Sequence, residues 1–155
     1  MSLINMKLNK FIYEGASLKE LQDFVTGLSD SKVDSLNKTV TKRLEREKAG
    51  LRKFETQQYF NLYRESKHRE KFEELVESLK VRDLGDSQLV YDNVENNNIR
   101  TLILDGKLTE KEERLYDNYT AAYRKVDWLG ERKEEIENKI QVYEDILFNI
   151  KTRRS

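Results

Sequence analysis

The stretch LYDNYTAAYRKVDWLGERKEEIENKIQVYEDILFNI, residues 115–150, decides the fold. Its apolar residues recur in alternating steps of four and three. Leu115, Ala122, Leu129, Ile136, Tyr143 and Ile150 take the d positions of a heptad, and Tyr119, Val126, Lys133, Ile140 and Leu147 take the a positions. Lys133 is the one polar residue of the seam. A seam sustained over this length specifies a helix that packs against another helix. Just upstream, Thr109-Glu-Lys-Glu112 has the spacing of a capping box, in which the threonine hydroxyl and the glutamate carboxylate satisfy each other's free backbone amides. The helix is therefore expected over 109–153.

A second apolar stripe lies upstream. Val33, Leu36, Val40, Leu44, Leu51, Phe54, Leu62, Phe72, Val76 and Leu79 stay near a 3.6-residue phase, which also meets Glu47, Gln58, Glu65 and Arg69. This predicts one long helix over 30–80, capped by Ser29 or Asp30, with bends expected at Gly50 or between Glu65 and Arg69. Residues 1–29 form a smaller segment. Ile4, Leu8, Phe11 and Ile12 fit a helical face, although Ile4, Met6 and Leu8 also alternate as a strand would. Ser17-Leu-Lys-Glu20 is another capping box, opening a short helix with Leu18, Leu21, Val25 and Leu28 on one face. Gly27 is expected to close it in the left-handed conformation. Over 86–104 short helical segments are expected, loosened by Asn96, Asn97 and Asn98 and ended by Asp105-Gly106.

The composition agrees with long helices. Of 155 residues, 37% are charged and 37% apolar, proline is absent and glycine occurs six times. Helices that bury one stripe and solvate the rest suit that balance. The expected architecture is an all-α single domain: an elongated long-helix hairpin or coiled coil with a small N-terminal helical subdomain. No cysteine is present, which excludes disulfides and thiolate chemistry. No apolar run reaches a membrane span and no signal peptide is legible, so a cytoplasmic location is expected. Net charge is zero, yet residues 30–55 hold eight basic against five acidic residues and residues 83–117 hold four against nine.

Three surfaces are candidates for function. The first is the seam, which could pair with the long second helix or self-associate through Leu129, Lys133, Ile136, Ile140, Tyr143, Leu147 and Ile150. In a parallel homodimer Arg132 would face Glu137 and Lys139 would face Glu144. The second is aromatic. Tyr116, Tyr119 and Tyr123 share one face, and Tyr59, Phe60 and Tyr63 crowd one turn of the long helix; facing helices are expected to bury these rings together. Trp128 sits at an outer c position, where packing does not call for an indole. That makes Trp128, with Tyr123 and Tyr116, the expected partner contact. The third is basic. Ser17 to Lys38 has the outline of a helix-turn-helix, and Lys32, Asn37, Lys38, Lys42, Arg46 and Lys53 are its candidate nucleic-acid contacts.

Catalysis has no comparable signature. The single histidine, His68, lies in a charged stretch at a helix edge, and no nucleophile grouping, metal-ligand spacing or phosphate-cradling glycine loop occurs. No cofactor, metal or small-molecule substrate is expected. The functional expectation is a non-enzymatic helical interaction protein (adaptor, inhibitor or assembly component), with a protein partner or a second copy of itself. Base rates alone place small chains of this kind among phage and mobile-element proteins. The alternative is a DNA-binding protein with a coiled-coil dimerisation stalk, as a regulator or a DNA-packaging recognition subunit.

Overall fold

The capping boxes start helices where their spacing requires. The computed structural model describes residues 2–154 and contains α1 (Leu3–Glu14), α2 (Leu18–Thr26), α3 (Asp30–Val81), α4 (Ile99–Leu104) and α5 (Glu110–Arg154). The protein is all-α; among the described residues there is no strand, only an isolated bridge between Tyr91 and Asn97. At α2 the Ser17 hydroxyl accepts the Glu20 amide at 3.1 Å and the Ser17 amide donates to the Glu20 carboxylate at 3.2 Å. At α5 the Glu112 amide donates to the Thr109 hydroxyl at 3.2 Å and the Thr109 amide to the Glu112 carboxylate at 2.9 Å. The ambiguous N-terminal stretch is helical because Ser2 caps it, its hydroxyl accepting the Asn5 amide at 3.2 Å. Gly15, with φ +84°, ends it in a conformation other residues avoid.

Three local expectations are corrected. Gly27 closes α2 at φ −78°, an ordinary right-handed value, so it supplies no left-handed turn before α3. α3 continues through Gly50 and through Glu65–Arg69 as a single helix of 52 residues. The polar break in its stripe is filled: Glu65 is buried, 3.7 Å from Arg69, and its charge raises the neighbouring Tyr119 phenol. Third, residues 86–98 are not helical, and only Ile99–Leu104 forms α4. The asparagines are the reason. The Asn93 carbonyl oxygen accepts the Glu95 and Asn96 amides at 2.9 and 2.7 Å, and Asn98 takes the Val90 amide at 2.8 Å while donating to the Gln88 carbonyl at 2.6 Å. Side chains thus satisfy the backbone that a helix would have claimed.

The chain divides into two compact units, one of residues 1–56 with 131–155 and one of residues 57–130, so α3 and α5 each contribute to both. In the first unit, Val33, Leu36, Val40 and Leu44 of α3 meet Tyr143, Ile146 and Ile150 of α5, and Leu8 and Phe11 of α1 with Leu21, Phe24 and Val25 of α2 complete the core. The Phe11 and Phe24 rings pack edge to face, centroids 5.2 Å apart. The C-terminal part of the seam is covered here, with Tyr143 and Ile150 buried. Ile146, a g-position residue outside the heptad seam, is fully buried because α1 and α2 cover that flank. The end of α5 is tied to the start of α3: Arg153 pairs with Asp30 at 3.2 Å and donates to the Val25 carbonyl at 3.3 Å, and Arg154 pairs with Asp34.

In the 57–130 unit the core is Phe72, Leu75, Val76 and Leu79 of α3 with Leu84, Ile99, Leu102 and Tyr119. Phe72 stacks on Tyr119, centroids 4.7 Å apart and planes 10° from parallel. One electrostatic clasp fastens this unit. Arg82 grips Glu112 through both carboxylate oxygens, one at 2.9 Å. The Arg82 guanidinium and the Thr109 cap hold the Glu112 carboxyl down at about 2.

Candidate interaction surface

A helix buries the side that its stripe defines and turns the rest to solvent. In the 57–130 unit Glu65, Phe72, Val76 and Leu79 fix the inward side of α3. At 100° per residue, Tyr59, Phe60 and Tyr63 fall on the far side. The structure leaves all three outside: Tyr59 is 69%, Phe60 64% and Tyr63 61% exposed. The expectation that facing helices bury them is corrected, and Leu62, counted in the stripe, is exposed as well. Their phase against Gln58, Glu65 and Phe72 was the signal that could have shown it. The rings are held in place. Tyr59 and Phe60 pack edge to face at 5.8 Å, and the Lys67 ammonium lies 5.4 Å above the Tyr63 ring.

The tyrosines of α5 divide differently. Tyr119 is buried, and burial followed by the neighbouring Glu65 charge pushes its phenol up to about 12. Tyr116 and Tyr123 are half-buried against that core, with ring centroids 6.1 Å from Phe72 and 6.2 Å from Tyr119 respectively. A hydrogen bond to Glu95 raises the Tyr123 phenol. Both are packing residues with one edge in solvent. Trp128 is 45% exposed, with the Lys125 ammonium 4.7 Å from its ring.

The basic candidates lie on α3 in the first unit. Lys38, Lys42, Arg46 and Lys53 are exposed along one side, and none forms an ion pair among the described residues. Lys32 is exposed near their edge. Asn37 is half-buried and points roughly 140° away from Lys42, so it does not join them. Of the seam residues, Leu129, Tyr143 and Ile150 are buried within the chain, and Lys133, Ile136, Ile140 and Leu147 are half-buried. The glutamates that a parallel pairing would use are engaged internally, Glu137 with Lys133 at 3.8 Å and Glu144 with Lys48 at 3.4 Å. Among the described residues no three His, Asp or Glu side chains gather as metal ligands. Among the described residues no helix is long and apolar enough to cross a membrane.

Comparison of the chain with protein families, with curated proteins and with solved structures finds no match.

Proposed function

We propose that the protein is a non-enzymatic, cytoplasmic interaction protein that binds a macromolecular partner through the aromatic face of α3. One observation carries this reading: Tyr59, Phe60 and Tyr63 stand exposed together on a continuous helix. Three adjacent rings in water are costly, whereas rigid aromatic anchors contribute strongly to interfaces because they bury much area with little loss of side-chain freedom. The test is affinity capture from the native host with wild type and a Phe60→Ala/Tyr63→Ala variant. A partner retained by wild type and lost by the folded variant supports the reading. Equal capture by both removes it. Concentration-dependent sedimentation that the variant abolishes would identify the partner as a second copy of the chain.

A second reading, duplex DNA binding along α3, is favoured by the unpaired Lys38, Lys42, Arg46 and Lys53. Cations on one helix side can follow phosphates, and each one removed should lower the salt slope of binding by about one. The separated Asn37 and the right-handed Gly27 weaken the helix-turn-helix form of this reading. Duplex affinity at low salt that Lys38→Gln/Lys42→Gln leaves unchanged rules the row out.

A further inference from the structure

A second feature of the 57–130 unit concerns cations without counter-ions. Asn61, Arg64 and His68 of α3 and Asn118, Ala121, Ala122 and Lys125 of α5 line a cleft of about 180 Å³. Its lining holds three basic side chains, two amides and no acid. The side chains of Arg64, His68 and Asn118 make no hydrogen bond or ion pair among the described residues, and the Lys125 ammonium engages only the Trp128 ring. In the cleft at the start of α3, Arg153 and Arg154 are met by Asp30 and Asp34. Cations gathered without an opposite charge raise one another's electrostatic energy, and an anion seated between them relieves it.

The size and surroundings narrow the ligand. The cleft is smaller than pockets that enclose whole small molecules, which run from about 300 Å³ upward, so it takes one group of a larger ligand. Two cations, an imidazole and two amides suit a phosphate. Beside it the indole of Trp128 is partly open, and the exposed Lys71 of α3 and Arg114 of α5 continue the same two helix edges by helical spacing. A phosphate seat, an adjoining aromatic surface and further cations along the edge form the combination that holds a backbone while stacking its bases. Glu70, Glu73, Glu74 and Glu77 form an acidic ladder on another flank of α3, which would repel a polyanion from that side. We infer that the cleft binds a phosphate of a single-stranded nucleic acid, with the adjacent base stacked on Trp128. The inference does not depend on what docks at Tyr59, Phe60 and Tyr63.

The chain has one tryptophan, so Trp128 fluorescence reads the stacking directly. Adding a short oligothymidylate at low salt should quench it saturably, and the anisotropy of a labelled oligonucleotide should give the same affinity. Arg64→Gln and Lys125→Gln should each weaken binding roughly tenfold, the loss of one charge-assisted contact, and lower the salt slope by about one. Lys10→Gln, in the other unit, should change neither. All three positions are exposed, and circular dichroism confirms that each variant is folded. Absence of oligonucleotide binding, or affinity that Arg64→Gln and Lys125→Gln leave intact, overturns the proposal. So does equal or tighter binding of a phosphoserine peptide, of inorganic phosphate or of duplex DNA, each of which would remove the role of a stacked base.

Discussion

The unit of residues 1–56 and 131–155 and the unit of residues 57–130 draw on the same two long helices and treat them differently. In the first, α1 and α2 add a covering layer, so Val33, Leu36, Val40 and Leu44 of α3 and Tyr143, Ile146 and Ile150 of α5 are buried, and Asp30, Asp34 and Glu144 each find a cation. In the second, α4 and an asparagine-stapled loop cover one side, while three adjacent aromatic rings of α3 stay in solvent. Packing and pairing account for nearly every core and tether residue of the first unit. In the second, Tyr59, Phe60, Tyr63, Arg64 and His68 have no structural task among the described residues that matches their cost, and side chains of that sort are where binding is expected.

The comparison breaks first at the cores. Phe72→Ala removes the ring stacked on Tyr119 and should cost about 3–5 kcal/mol, against about 2–5 kcal/mol for Ile146→Ala in the other unit. Urea denaturation measures both, and a loss below about 1 kcal/mol for Ile146→Ala would contradict the covering layer that buries a residue outside the heptad seam.

A smaller effect is expected at Glu112, where cap and clasp coincide. Glu112→Gln should cost about 1–2 kcal/mol near neutral pH, from a weakened capping box and a lost Arg82 pair. The carboxyl lies at about 2 in the folded chain against an ordinary 4.5. Its contribution is therefore fully present above about pH 4.5 and fades as pH falls toward 2. Denaturation curves of wild type and variant should converge across that interval. A gap that persists unchanged at low pH would locate the loss in packing instead.

The smallest effect sharpens the contrast most. Phe60→Ala and Tyr63→Ala should each alter stability by no more than about 0.5 kcal/mol, because the rings they remove already face solvent. Thermal melts coincident with wild type, combined with lost partner capture, would separate binding residues from structural ones.

Much of the fold was legible in the sequence because its signals are local. Ser17 with Glu20 and Thr109 with Glu112 lie three residues apart, and the geometry of a first helical turn alone brings them together. The asparagine run was recognised as a disturbance, but its extent was underestimated: Asn93 and Asn98 reach across several residues to build a loop where helical periodicity continued through Leu89 and Val94. The candidate sites were less legible. Trp128 stands out in the sequence because a c position gives an indole no packing role. The ring chemistry of Tyr59, Phe60 and Tyr63 suggests burial, whereas their phase on α3 opposes it. The cleft of Arg64, His68, Asn118 and Lys125 gave no sequence signal, since its two sides lie 50 or more positions apart in the chain.

By itself, the sequence determined that the chain is all-α, where its long helices begin, and the seam along which α5 packs. Those properties follow from hydrogen bonds and periodicities that close within one or two turns. Only the tertiary structure decided which sides of those helices are covered. Burial of Ile146 depends on α1 and α2, burial of Glu65 on Tyr119, and the exposure of the α3 rings on no element lying over them. Burial is a relation between segments far apart in the chain, and no local pattern encodes which partner arrives.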